Sequence, residues 1–295
     1  MGYLFLFIAL FAGASKGYCG KKISGYTNGF YSSFLANLFR FLFCIVIGFI
    51  LILFTDGPGV LVQTKEMLLI SALSGVATAI FVVTWLISVK KSAYMMLDIF
   101  LMLGVLIPLI ASSIFFDEPI KLTQWGGIAL LLIAVYIMCS YNNSIKTKIT
   151  LPSFILLLVC GISNGIADFS QKLFTKSIQN GSAAAFNFYT YVFAAVTLTA
   201  LLALLPKPTD TNEKANIKKM FGYIPVMALC LFVNSYFKTL AARHLSAVML
   251  YPLNQGCALI LSAVMAAVLF KEKLTIKAVI GIITAFISLL IINLL

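Results

Sequence analysis

The sequence predicts an all-α integral membrane protein: ten transmembrane helices arranged as two inverted five-helix repeats. Three observations lead there. The chain of 295 residues is 62% hydrophobic and 10% charged, with a mean hydropathy of +1.06. Soluble domains sit near about half apolar and about a quarter charged, so this composition has no water-soluble solution. The apolar residues fall in ten stretches of bilayer-spanning length. The second half of the chain then echoes the first.

The ten stretches run roughly over 2–20, 30–54, 67–89, 92–114, 120–140, 152–174, 183–205, 221–242, 246–268 and 275–295. Each is about 19–25 residues long, enough to cross about 30 Å of hydrocarbon at a rise of about 1.5 Å per residue. Turn-forming sequences separate them: SGYTNG, TDGPG, DEP, YNNS, QNGS and PKPTDTNEK. None of these connections is long enough for a soluble domain. The first stretch contains AGAS, which resembles a signal-peptide cleavage site, but no basic region precedes it. The internal repeat also needs this stretch, so it is expected to remain as a helix.

The repeat is visible in short echoes. GASKGYCG (13–20) aligns with GISNGIAD (161–168), so Gly13, Lys16, Gly17 and Gly20 match Gly161, Asn164, Gly165 and Asp168. The spacing i, i+3, i+4, i+7 is one helix face. TNGFYSSF echoes QNGSAAAF, SAYMM echoes SAVML, and FFDEPIKLTQWGG echoes LFKEKLTIKAVIG. The chain thus divides into residues 1–145 and 146–295, five spans each. Because five is odd, the second copy crosses the membrane in the opposite sense. An inverted repeat of this kind is a transporter signature, with substrate near the midplane between the halves.

The formal net charge of +12 is carried largely by short connections. It fits attraction to anionic lipid headgroups, and no continuous basic face suggests nucleic acid. The connections after odd-numbered spans hold Lys21, Lys22, Lys90, Lys91 and further lysines as far as Lys277. The other side holds only Lys65, Lys121, Lys172, Lys176 and Arg243. By the positive-inside rule the first side is cytoplasmic and both termini face out. The six cysteines lie within apolar stretches without a CxxC pair and read as small buried hydrophobes. There is no Walker loop, no nucleophile–base set and no metal-ligand cluster, so neither an enzyme nor a cofactor is expected.

Two five-helix repeats, each closing with a loop such as FFDEPIKLT or LFKEKLT and a glycine-bearing last helix, resemble the drug/metabolite transporter superfamily, and within it the EamA-like ten-helix members. The stretch 238–295 is also similar to the last part of small multidrug resistance proteins. The resemblance implies a secondary transporter working by alternating access, often an exporter, driven by a proton gradient or by exchange. Small multidrug resistance proteins carry a membrane-embedded glutamate in their first helix. Here the first stretch has no acid and Lys16 lies nearby, so that family's glutamate has no counterpart in the first helix.

Candidate site residues are the polar groups inside the spans. Lys16 faces a cavity or snorkels toward Lys21 and Lys22. Asp98, in AYMMLDIFLM, is either a ligand or an interfacial partner of Lys90 and Lys91. Asp168 is deeper, on the helix of Asn164. Arg40, in ANLFRFLF, reads as structural, paired with carbonyls or an aspartate. Lys238 follows Asn234 by one turn, which suits a cavity wall, and Lys172 is expected at the membrane edge. In SAVMLYPLNQGCAL, Pro252 and Gly256 loosen the helix, making Tyr251, Asn254 and Gln255 ligand candidates or interhelical glue. Trp85, Asn187, Tyr191 and Tyr236 add aromatic and amide surface, with an interfacial belt as the alternative for the aromatics.

These residues lead to an expected function: export or exchange of a small polar metabolite, amino-acid-like. Lys16 or Lys238 would meet its carboxylate and Asp98 or Asp168 its ammonium. Carriage of organic cations such as quaternary amines, carriage of anions led by the lysines, and a flippase-type lipid-handling role are the alternatives. The expected partners are substrate, membrane lipids and a coupling proton or exchanged solute. A monomer or homodimer in a bacterial inner membrane is expected.

Overall fold

A computed structural model describes residues 1–27, 30–91, 94–139, 150–205, 220–269 and 276–294. Among these residues the chain is helical and has no strand. The helices are α1 (Gly2–Ser24), α2 (Phe30–Thr55), α3 (Lys65–Lys91), α4 (Tyr94–Gly104), α5 (Leu106–Phe115), α6 (Leu122–Cys139), α7 (Leu151–Ser177), α8 (Ala183–Ala203), α9 (Ile224–His244), α10 (Ala247–Val268) and α11 (Ile276–Leu294). A 3-10 turn over Pro58–Leu61 joins α2 to α3. Seven of these helices (α1, α2, α3, α7, α8, α9 and α10) are long and apolar enough to span a bilayer. Shorter apolar stretches cover Phe100–Phe115, Leu122–Ala134 and Val279–Ile292.

One expected span is interrupted. The fourth stretch is not a single helix but α4 and α5, which meet at Val105. Pro108 is the cause: it offers no N–H to the carbonyl four residues back, that of Gly104, and its ring crowds that turn. Gly104 is itself a weak helix former. Its lack of a side chain has a second use. A Cβ at Gly104 would overlap the Gly161 backbone carbonyl, and one at Gly165 would overlap the Gly104 carbonyl. Helices α4 and α7 therefore cross backbone on backbone, as small residues permit between membrane helices.

The helix pairing follows the repeat. The first helix of each half packs along the third helix of the other: α1 on α9, and α7 on α3. The second helices, α2 and α8, pack together, as do the last, α6 and α11. The outer faces are apolar at helical spacing. On α2 the exposed row is Phe43, Val46, Phe49, Ile50 and Leu53; on α11 it is Val279, Ile280, Ile283, Phe286, Ile287 and Leu290. Rows of this size on a water-facing surface would drive aggregation, but hydrocarbon solvates them.

One end of the bundle is stitched by polar contacts. Asp117 adopts φ 51°, a left-handed conformation that Asp tolerates better than most residues. Next to it, Glu118 reaches across to the second half. Its carboxylate meets Lys172 Nζ at 3.0 Å and Lys176 Nζ at 2.9 Å, and accepts from the Ala247 N–H at 2.8 Å. Lys172 also donates to the carbonyls of Ala242 (3.3 Å) and Leu245 (2.8 Å). The anion thus sits at the start of α10 and the cation at the end of α9, where the helix dipoles favour each. Lys172 is buried rather than lying at an open membrane edge. At the same end Ser182 donates to Asp56 at 2.5 Å, Tyr189 to the Leu61 carbonyl at 2.5 Å, and Arg243 to the Gly181 carbonyl.

Partial burial would raise the Glu118 carboxyl, but the Ala247 N–H and the Lys176 and Lys172 ammoniums outweigh it and hold its pKa below the ordinary 4.5. A lowered carboxyl pKa contributes stability that is present above the unfolded value and lost as pH falls through the folded value. Glu118→Gln is therefore expected to lower the thermal midpoint at pH 7, at about 2–4 °C per kcal/mol lost. The gap from the parent should close as the medium is acidified below 4.5. Thermal unfolding of both proteins across that range in one detergent checks this, and a gap that does not depend on pH would refute it.

Candidate functional site

A cavity opens between the two halves. Its wall takes Gly13, Ala14, Lys16 and Gly17 from α1, Phe81 and Trp85 from α3, and Leu101 from α4. From the second half come Asn164 of α7, Asn234 and Lys238 of α9, and Asn254, Gln255 and Ser262 of α10. It has about 70 Å³ in which a water-sized group can sit, within about 610 Å³ of empty space that includes the open mouth. The wall runs from mid-bundle toward the end opposite the Glu118 contacts, since Lys16, Trp85 and Ser262 all lie in the far part of their helices.

Local sequence explains the wall. Gly13 and Gly17 remove side chains from the α1 face that carries Lys16. A Cβ on Gly13 would press on the Asn234 amide at 3.1 Å. That amide donates to the Ala9 carbonyl at 2.6 Å and ties α9 to α1. Lys16 lies eight residues before the end of α1, about 12 Å by helical rise. It is half-buried, and its ammonium stands 5.8 Å from the centre of the Phe81 ring. Across the cavity, Asn164 holds the matching position of the second half.

The charge on Lys238 is met inside the protein. Its Nζ lies 2.5 Å from Asp168 Oδ1, and Asp168 is 1% exposed. The Asn164 amide donates to the other carboxylate oxygen at 3.4 Å, and the Tyr251 hydroxyl donates to the Asp168 backbone carbonyl at 2.6 Å. Asp168 therefore lies behind the wall and serves Lys238, rather than facing the cavity as a free acid. Tyr251 is likewise buried behind the wall.

Other expected site residues also lie away from the cavity wall. Asn187 is fully buried and bonds the Ala183 carbonyl at 2.8 Å, Thr239 at 3.2 Å and Ser235 at 2.6 Å. Gln171 extends that network by donating to Ser235 at 3.1 Å. These amides hold α7, α8 and α9 together. Tyr191 packs on Phe41 and donates to the Leu231 carbonyl at 3.4 Å. Tyr236 is half-buried and stacks with Phe232. The side chain of Asp98 lies outside the described residues. Trp85, Lys16, Asn164, Lys238, Asn254 and Gln255 are brought together. Phe81 and Ser262 join them without having been expected, and so does Asn234, which the sequence set on one helix face with Lys238. The Oδ1 of Asn254 is buried without a hydrogen-bond partner.

Removing one member of a buried ion pair leaves the other charge stranded, at a cost of about 3–5 kcal/mol, while replacing both with apolar groups is often nearly neutral. Asp168→Asn alone is expected to destabilise strongly. Asp168→Asn combined with Lys238→Met should recover much of the loss. A thermal double-mutant cycle reads the coupling, and additive effects would refute the pair.

Comparison with known proteins places this architecture. A search of curated proteins gives no match to the chain. A crystal structure described only as "Crystal structure of protein" superposes with a TM-score of 0.66 at 13% identity, covering 99% of this chain and 96% of the other. At that identity the likeness concerns the fold. The sequence model of the EamA-like transporter family matches twice, over residues 1–140 and 151–294. Nearly the whole chain is covered by the two matches, one on each half, so this multi-pass membrane protein belongs to the EamA-like transporter family.

Proposed function

We propose that the protein is a secondary active transporter that moves a small polar metabolite, amino-acid-like in size, by alternating access, as an exporter or exchanger. The reading is supported above all by a cavity walled by both halves, with Lys16 and the amides of Asn164, Asn234, Asn254 and Gln255 in its wall. Such a wall offers a cation for a carboxylate and amides for the remaining polar groups. Lys238 and Asp168 neutralise one another, so they orient the wall more than they charge it. Lys16, Trp85, Asn164, Lys238, Asn254 and Gln255 are the proposed contacts. Asp168 and Tyr251 position Lys238 from behind.

In this reading the two halves are 1–145 and 146–295, each with five spans. The broken helix α4–α5 counts as one span, and α6 and α11 complete the ten. The polar contacts around Glu118 would close one mouth while the cavity faces the other, and transport would require them to part. A coupling proton or exchanged solute supplies the driving force, and the protein acts as a carrier in a bacterial inner membrane, not as an enzyme. The organic-cation alternative loses one of its two acids, because the Asp168 carboxylate is already met by Lys238; the side chain of the other, Asp98, lies outside the described residues.

Two measurements test the reading. Reporter tags in the 207–219 connection and after Leu295 should lie on opposite faces of the membrane, the connection in the cytoplasm. The same face for both would refute the odd number of spans. Lys16→Met keeps the stem and removes the charge. It should abolish solute flux in proteoliposomes, a loss of about tenfold or more, equivalent to about 1.4 kcal/mol, while the protein still inserts and unfolds cooperatively. Normal flux through a folded Lys16→Met protein would refute the role of Lys16.

A further inference from the structure

We propose that Arg40 is the anchor for an anionic oxygen of the solute, so that the substrate is a carboxylate or phosphate compound rather than a cation. The proposal rests on the transport reading above and adds the substrate's charge class. Arg40 lies on α2, a helix that contributes nothing to the main cavity wall. It sits ten residues into that helix, about 15 Å along it. It is 2% exposed, and its Nε and Nη2 have no hydrogen-bond partner. Among the described residues no carboxylate pairs with it. Its neighbours are the Phe41 ring, 5.7 Å from the guanidinium carbon, and the side chains of Cys44 and Tyr191. The sequence suggested a structural arginine paired with carbonyls or an aspartate; no such partner meets these two nitrogens. Buried polar groups in folded proteins are satisfied almost without exception, and a buried cation most of all.

The guanidinium does not lie in solid packing. It lines a second, smaller cavity with Lys16, Phe81, Val82, Trp85 and Met227. Lys16, Phe81 and Trp85 are also in the main wall, so the two cavities share a partition. The smaller one has room for about one water-sized group. That is the size of a single oxygen reaching past Lys16. The oxygen would then meet the guanidinium nitrogens Nε and Nη2, which no protein group meets. The guanidinium's donors form a fixed planar fork suited to carboxylate and phosphate oxygens. A quaternary ammonium entering the same space would meet the like charge of Arg40.

Trp85 in the partition serves as the reporter. The only other tryptophan, Trp125, is exposed on α6, and Trp125→Phe leaves a single emitter. The full chain in nanodiscs is titrated with sodium acetate, inorganic phosphate and choline chloride at constant ionic strength. A saturable change in Trp85 emission is expected with acetate or phosphate and none with choline, and the two anions tell carboxylate from phosphate recognition. Arg40→Gln should weaken the anion's apparent Kd by about tenfold or more. Arg40→Lys, which keeps the charge and loses the fork, should weaken it less. Parent-like affinity in a cooperatively unfolding Arg40→Gln protein would overturn the proposal. So would a response to choline alone, or no saturable response to either anion. If Arg40→Gln does not fold, Arg40→Lys decides: a loss of about threefold or more supports the site, and parent affinity overturns it. Arg40-dependent anion binding in a protein that moves no solute across proteoliposomes would remove the transport reading and leave the site standing. Flux of the bound anion that is indifferent to Arg40→Gln would remove the site and leave transport.

Discussion

A charge inside a helix bundle surrounded by hydrocarbon must be answered by something close to it. Water cannot be assumed, and the cost of a lone ion there is high. Most of the polar architecture follows from that constraint. Lys238 is answered by Asp168 at 2.5 Å, and Asp168 in turn by Asn164. Lys172 is answered by Glu118 and by two carbonyls at the end of α9. The Lys238–Asp168 pair and the bonds from Lys172 to the end of α9 join α7 to α9, and Glu118 ties the first half to α7, so the charges help determine which helices are neighbours. Apolar contact alone would not, because lipid tails are as apolar as leucine.

The same constraint separates structure from site. Charges that find a protein partner become struts. Asp168 and Lys172 are buried in this way. The groups left for a ligand are buried polar atoms that no neighbouring group meets, Arg40 Nε and Nη2 among them. The buried amides divide similarly. Asn187 and Gln171 are consumed by a network across α7, α8 and α9, whereas Asn254 presents an unbonded carbonyl oxygen. Residue type does not distinguish these two asparagines; their neighbours do.

This explains what the sequence disclosed and what it withheld. Helical content and the paired halves were legible because hydropathy and the GASKGYCG/GISNGIAD echo are local properties. The helix pairing across halves was legible only as a symmetry. The break at Val105 was announced by Pro108 and was passed over because the flanking residues are uniformly apolar. Lys16, Asn164 and Lys238 could be picked out as polar groups deep in apolar runs. That Asp168 would be spent on Lys238 was not readable, since the two lie 70 residues apart and meet only when α7 and α9 pack. Tyr191, Tyr236 and Asn187 were chosen for chemistry alone, which says nothing about whether a side chain faces a cavity or a neighbouring helix.

The duplicated glycine face is used differently in its two copies. In α7 the glycines are spent on backbone contact with α4, whereas in α1 Gly13 borders the cavity and lies against the Asn234 amide. In a chain of two identical inverted copies, the two ways of opening would be related by symmetry and equal in free energy. Such a protein would rest half one way and half the other. Here one first helix crosses α4 backbone on backbone while the other lies along α9 and borders the cavity, and Lys16 and Asn164 both lie in the cavity wall. Under the proposed alternating access, the resting orientation would be a property of the differences between the copies and not of the architecture they share. Sequence drift at a handful of small residues could turn one scaffold from a protein that waits open inward into one that waits open outward, with no change of fold.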